Sequence, residues 1–360
     1  MKKPILFSYA QGGPDPKVVV HNSVNAEKLG YDYVWVADHF TDTKPVTAVL
    51  DAWTVLSYIG SKTNRVYLGP GVTDVYRMHP AKIANTMATL DHLTSGRIFL
   101  GIGAGEIMNT QPYGMIWEDA KLRISRLKEA IHVMKMLWKS SSNNPVSFKG
   151  QFYNLTNAHL DLSPLQKPFP RIYMGAFRSP TLLKFIGEQL DGWFPATPNT
   201  LESFKDKVNL ISEGVEKSGR NILDIDVILA IPTVIDDKSN VIKEIKQKFK
   251  RTLFYHRDVL KILGGSDLIE SLPKNFEYQY ISTTNNTLSD FQKMIDNFEF
   301  PDEILDKAVD EMMAVGTADQ CIDKIAKFVE AGATHIDPGP PVDSEANYEK
   351  IAKQIIPYFK

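Results

Sequence analysis

Tyr33-Val34-Trp35-Val36-Ala37-Asp38-His39-Phe40 is the stretch from which the fold can be read. Its first five residues are mostly β-branched or aromatic and show no polar alternation, the pattern of a strand buried on both faces of a parallel sheet. An acid and an imidazole follow where that strand ends. Working outward, residues 4–10 read as an earlier strand and 17–29 as a helix stopped by Gly30. Further strands fall at 65–72, 97–103, 171–176, 192–196, 226–235 and 334–338. The segments 51–59, 81–92, 182–190, 201–218, 318–331 and 347–359 read as helices. A long amphipathic helix lies within 117–138, with Leu127, Ile131, Met134 and Trp138 at three- and four-residue steps. Eight strands, nearly all followed by helices, require a parallel sheet. Their number predicts a closed (β/α)8 TIM barrel, with an open doubly wound sheet as the architecture that alternation by itself leaves open.

A barrel of this kind needs about 250 residues, so a chain of 360 carries insertions. One is expected at 140–167, with a small hairpin around Phe148-Lys149-Gly150-Gln151-Phe152-Tyr153. A second, at 238–310, is polar and helical in pattern and precedes the last βα units. The reading is one domain over 1–360.

Charge narrows the function. Lys and Arg number 41 against 43 Asp and Glu, a net charge of −2, and the excess basic charge that nucleic acid or an anionic membrane surface calls for is missing. No apolar stretch reaches the roughly 18 residues of a membrane span, and the first residues lack the apolar core of a secretory signal. Cys321 is the single cysteine, so no internal disulfide forms, and a reducing cytoplasm is the expected compartment.

In a barrel, chemistry gathers where strands run into βα loops. Three strand ends stand out. Asp38-His39 pairs an acid with the side chain best suited to move a proton near neutral pH, or is a solvated loop pair. Leu68-Gly69-Pro70-Gly71-Val72-Thr73-Asp74 lets backbone come close to a planar ligand, or is a plain turn. Leu100-Gly101-Ile102-Gly103-Ala104-Gly105-Glu106-Ile107-Met108-Asn109 resembles a dinucleotide fingerprint only superficially, since the later glycine spacing and an immediate helix are missing. Glu106 is a proton acceptor there, or a loop carboxylate in water. No phosphate loop, nucleophile elbow or His-Glu-x-x-His pair occurs, and no metal is expected.

Taken in order, residues 33–40, 68–72 and 99–106 resemble the bacterial luciferase-like superfamily, and within it the branch that uses the deazaflavin coenzyme F420. That branch includes methylene-tetrahydromethanopterin reductase, secondary-alcohol dehydrogenase and glucose-6-phosphate dehydrogenase. Arg123-Ile124-Ser125-Arg126-Leu127-Lys128-Glu129, Trp138, Ile172-Tyr173-Met174-Gly175-Ala176 and Asp191-Gly192 extend the resemblance over most of the chain, weakest from 237 to 309.

The resemblance implies an oxidoreductase barrel with F420 at the carboxyl ends of its strands, the alternative within the superfamily being an FMN-dependent monooxygenase. It makes His39 and Glu106 the catalytic acid–base residues. It places Asp38, Gly71, Val72, Asp74, Ala104, Gly105, Asn109, Gly175, Ala176 and Arg178 at the cofactor, with a non-proline cis peptide at Gly71-Val72 and Phe177-Arg178-Ser179 near the cofactor's anionic tail. A small-molecule substrate is implied, and a homodimer or higher homo-oligomer.

The departures bear on the substrate. The loop after His39 runs Phe40-Thr41-Asp42-Thr43 where relatives often carry a tryptophan, and Gln11 stands where some carry a glutamate. Asn199 and Glu311 stand where sugar-phosphate dehydrogenases place cations, which disfavours glucose 6-phosphate. Glu106 matches the alcohol branch, whereas Val315-Gly316-Thr317 looks more like the pterin reductases.

Overall fold

The computed structural model describes residues 4–41, 48–195, 197–236, 238–272, 288–339 and 345–360. Eight strands form one parallel sheet: β1 (Leu6–Gln11), β2 (Tyr33–Val36), β3 (Tyr67–Pro70), β4 (Leu100–Ile102), β5 (Ile172–Ala176), β6 (Gly192–Pro195), β7 (Asp226–Ala230) and β8 (His335–Asp337). The hydrogen-bonded order is β3-β2-β1-β8-β7-β6-β5-β4. Its two edges meet through parallel bridges, Leu68 with Ile98 and Thr73 with Ile102. An open sheet would leave β3 and β4 on opposite margins. Here they bond to each other, and the sheet is nearly closed into a barrel flanked by helices.

The helices begin where the chain supplies caps. Asp15, Asp51, Asp119, Ser179, Thr200 and Thr317 each accept a hydrogen bond from a backbone N–H of the first turn that follows. Such a bond satisfies a donor that has no partner inside the helix. The long amphipathic helix spans Ala120–Leu137 and turns Leu127, Ile131 and Met134 inward. Inside the barrel Tyr33, Trp35, Phe99, Tyr173 and Ile228 form a buried aromatic layer. The His335 ring stacks on Trp35 within it, centroids 5.2 Å apart.

Two elements differ from the sequence reading. The strand expected over 226–235 divides. Ile231 and Thr233 still donate to the carbonyls of Asp337 and Pro338, but Pro232 between them has no N–H to give. Beyond it, Thr233–Ile235 leaves the barrel and pairs in parallel with Ala314–Gly316. The helix expected over 347–359 divides into Glu345–Gln354 and Ile356–Phe359, next to Pro357. Ala196, at the end of the strand expected over 192–196, lies outside the described residues, as do Asp42 and Thr43.

Within 140–167, Val146–Lys149 and Asn154–Ala158 form an antiparallel hairpin. Its turn is held by the Glu129 carboxylate, which accepts from the backbone N–H groups of Gln151, Phe152 and Tyr153. Within 238–310 lie the helices Ser239–Tyr255, Arg257–Ile262, Ser266–Ser271, Leu288–Asn297 and Asp302–Met312. They share a hydrophobic cluster of their own that includes Phe249, Leu253, Leu260 and Leu305; residues 273–287 of this span lie outside the described residues. Among the described residues no helix is long and apolar enough to cross a membrane.

Candidate functional site

A cleft of about 250 Å³ opens where β3, β4 and β5 run into their loops. From the end of β2 the chain delivers His39. β3 delivers Val72, Thr73 and Asp74; the loop after β4 delivers Ala104, Gly105, Glu106 and Asn109; β5 delivers Gly175, Ala176 and Phe177. Residues scattered over some 140 positions thus line one cleft, because parallel strands all present their carboxyl ends on the same face.

The peptide between Gly71 and Val72 is cis, as expected. Val72 then stands against two glycines across the cleft floor. A Cβ on Gly103 would meet Val72 Cγ2 at 3.1 Å, and one on Gly175 would meet it at 3.2 Å. Glycine at both places lets the Val72 side chain lie close over the backbone, where a Cβ would crowd it, and with Ala104, Gly105 and Ala176 these residues form a small-residue cradle. Gly71 itself lies below this surface, against Trp35 and Phe194.

The polar groups form two sets. In the first, His39 Nε2 lies 3.4 Å from Glu106 Oε2, both side chains partly exposed to the cleft. Asn109 Nδ2 donates to the same Glu106 oxygen at 3.1 Å. The second set is nearly closed off from solvent. Arg77 Nε donates to Asp74 Oδ2 at 2.6 Å and Arg77 Nη2 to Asp38 Oδ2 at 3.2 Å. Asp74 Oδ1 also accepts from the backbone N–H groups of Tyr76 and Arg77. Burial works against the charged guanidinium, and the Asp74 and Asp38 carboxylates outweigh it, so Arg77 holds its proton more tightly than usual.

Asp38 therefore meets Arg77 directly, and it is Arg77 that lines the cleft. Sequence reasoning missed Arg77. The signal was present, since an arginine sits three residues after Asp74, but its importance depends on Asp38 arriving at the same point from β2. The neighbouring wall is braced by Glu118, which accepts from Tyr76 Oη at 2.7 Å and from Arg126 Nε and Nη2 at 2.8 and 2.6 Å. The Arg126 hydrogen bonds, against some opposing burial, pull Glu118 down to about 2.

Arg178 is directed elsewhere: it pairs with Asp258 on Arg257–Ile262 and is largely exposed. Asn199 has a cation beside it after all. The buried Lys207, carried on Leu201–Ser218, donates to Asn199 Oδ1, and its ammonium lies 5.3 Å from the centre of the Phe177 ring. Burial lowers Lys207 to about 8. Glu311 pairs with Lys307 at 3.8 Å and is not among the residues lining the cleft.

The chain is similar to known proteins over nearly its whole length. An F420-dependent glucose-6-phosphate dehydrogenase of Amycolatopsis mediterranei is 28% identical over 352 residues, covering 96% of this chain and 95% of the relative. A 5,10-methylenetetrahydromethanopterin reductase of Archaeoglobus fulgidus is 26% identical over 342 residues, covering 93% of each. The solved F420-dependent secondary alcohol dehydrogenase in complex with an F420-acetone adduct has a TM-score of 0.80 over 100% of both chains at 24% identity, a likeness of fold. The family model described as luciferase-like monooxygenase matches residues 6–335, nearly the whole length. The chain belongs to the luciferase-like monooxygenase family.

Proposed function

We propose that this protein is an F420-dependent oxidoreductase that moves hydride between the deazaflavin and a small organic substrate, of the secondary alcohol/ketone or methylene-tetrahydropterin type. The observation that carries the reading is the His39–Glu106 pair facing a glycine-floored cleft at the carboxyl ends of the strands. The names of the full-length relatives support the cofactor.

The cradle fits a planar ring. Gly103 and Gly175 clear its floor, and Val72, Ala104, Gly105 and Ala176 give it backbone and small apolar walls. When bound, F420 supplies a ring carbon that accepts or returns hydride. Asp38 and Asp74 hold Arg77 at the cleft wall, where its guanidinium would serve as a hydrogen-bond donor to the bound cofactor. His39 Nε2 takes the hydroxyl proton of an alcohol, or returns it to a ketone, and Glu106 orients the imidazole. A pterin iminium needs no proton from His39, and Glu106 is then the acid–base group in play. Arg178 is proposed at the cofactor tail, which requires it to exchange Asp258 for an anion. The proposal includes a cytoplasmic location, in keeping with one free cysteine, and assembly as a homodimer or larger homo-oligomer.

Titrating the purified protein with F420 and with FMN, followed by fluorescence, tests the reading. F420 is expected to bind and to be reduced by a secondary alcohol, or in its reduced form to be oxidised by methylene-tetrahydromethanopterin. FMN binding with oxygen-dependent turnover would sink the proposal. Efficient, saturable oxidation of glucose 6-phosphate would replace the two substrate types named and would put Lys207 in the role of the missing cation.

A further inference from the structure

We propose that Asn109 is the positioning residue that fixes His39 and Glu106 relative to each other, by clamping the loop after β2 onto the turn after β4. This rests on the reading of His39 and Glu106 as the acid–base pair.

Asn109 is 1% exposed, and its side-chain amide is almost fully engaged within the protein. Its Oδ1 accepts from the backbone N–H of Phe40 at 2.7 Å and from that of Thr41 at 3.1 Å, the two residues directly after His39. Its Nδ2 donates to Glu106 Oε2 at 3.1 Å, the oxygen that lies 3.4 Å from His39 Nε2. An amide oxygen accepts two hydrogen bonds and an amide nitrogen donates two, so contacts among the described residues already take three of the four. The partners also fix which way the amide points. Exchanging oxygen and nitrogen would set donors against two N–H groups and an acceptor against a carboxylate.

Asn109 is itself held rigidly. It ends the 3-10 turn Ile107–Asn109, closed by its own N–H donating to Glu106 O at 3.1 Å. Thr110 Oγ1 donates to the same carbonyl at 2.9 Å. A second contact joins the two segments independently: the Phe40 and Tyr113 rings pack with centroids 4.6 Å apart. The imidazole comes from β2 and the carboxylate from β4, yet one amide touches the carboxylate and the two peptides that follow the imidazole. Hydride and proton transfer depend on sub-ångström placement, so a loosened clamp is expected to lower turnover more than cofactor affinity.

Two variants of the full chain separate the roles. Asn109→Ala removes both arms of the clamp. Asn109→Asp keeps an acceptor for the Phe40 and Thr41 amides but puts a carboxylate against Glu106. Amide hydrogen exchange at Phe40 and Thr41 is expected to speed up by about tenfold or more in Asn109→Ala, and to return close to the wild-type rate in Asn109→Asp. Turnover at saturating F420 is expected to fall by about tenfold to a hundredfold in both. Unchanged exchange in Asn109→Ala, or turnover at the wild-type rate despite faster exchange, would overturn the proposal. So would turnover restored to the wild-type value by raising F420 alone, which would make Asn109 a cofactor ligand and nothing more. If the wild-type protein fails to bind F420, the functional reading fails instead, and the exchange measurements in the two variants still decide whether Asn109 holds the loop.

Discussion

Each end of the barrel pairs an arginine with buried carboxylate, but to different effect. At the amino ends of the strands, Arg171 Nη1 lies 2.6 Å from Asp226 Oδ2, and Tyr173 Oη donates to the same oxygen at 2.7 Å. The Tyr33 hydroxyl lies 3.1 Å from that of Tyr173. Burial pushes the Tyr33 phenol up to about 12, so Tyr33 keeps its proton at neutral pH. At the carboxyl ends, Arg77 spans Asp74 and Asp38, and beside it His39 and Glu106 reach an open cleft. The recess at the amino end is the larger, about 360 Å³ against about 250 Å³. Size therefore does not select the site. What favours the carboxyl end as the candidate site is the partly exposed His39–Glu106 pair beside a cleft lined by Gly103, Gly105 and Gly175. In a parallel barrel the amino ends carry stability and the carboxyl ends carry chemistry.

The largest expected effect tests the stability end. Asp226→Ala leaves Arg171 and Tyr173 facing a void and is expected to cost about 3–5 kcal/mol in urea unfolding, while the folded fraction keeps its F420 affinity. A matching loss of F420 affinity would mean that the two ends are coupled. Arg77→Gln leaves Asp38 and Asp74 without their cation and is expected to cost about 3 kcal/mol. Unlike the change at the other end, it should also weaken F420 binding, by about tenfold in a fluorescence titration. Lost stability with unchanged affinity would reduce Arg77 to a structural brace.

His39→Ala sharpens the contrast from the other side. Its turnover is expected to fall by about 100-fold or more, with F420 binding nearly intact and stability within about 0.5 kcal/mol of wild type. Stopped-flow hydride transfer from an alcohol at the wild-type rate would remove His39 from proton transfer. The smallest effect concerns pH. Glu118 is held at about 2 against an ordinary 4.5, so its clamp contributes fully above about pH 4.5 and is lost as pH falls through that interval. The stability difference between wild type and Glu118→Gln should therefore shrink over pH 4.5 to 2. A difference that stays constant over this range would show that Glu118 is not held by Arg126 and Tyr76.

Much of this was legible in the residues themselves. Buried parallel strands announce themselves as short apolar runs such as Tyr33–Val36, and glycines after strands mark where backbone must come close. His39, Glu106 and the Gly71-Val72 peptide were visible as strand-end features together with a family resemblance. Arg77 was not, because it acquires its role from Asp38 and Asp74, which are 36 positions apart and converge only when β2 and β3 pair. The direction of Arg178 is set by Asp258, far along the chain on a helix of the insertion. Lys207 reaches back along its helix to Asn199, and no local pattern records where a flexible side chain of that length will end.

Local physics was enough for the eight strands, most of the helices and the face on which chemistry gathers, since strand runs, caps and βα order act over a few residues at a time. The split of the seventh strand was decided in three dimensions. Pro232 interrupts it, but Thr233–Ile235 leaves the barrel because Ala314–Gly316, some 80 residues later, offers a partner. The same holds for the clamp at Asn109: its neighbours in sequence make it a turn residue, and folding turns it into the link between His39 and Glu106 by bringing Phe40 and Thr41 within reach of its amide. Hydrogen bonds of this kind depend on tenths of an ångström between distant segments, and only the packed barrel sets those distances.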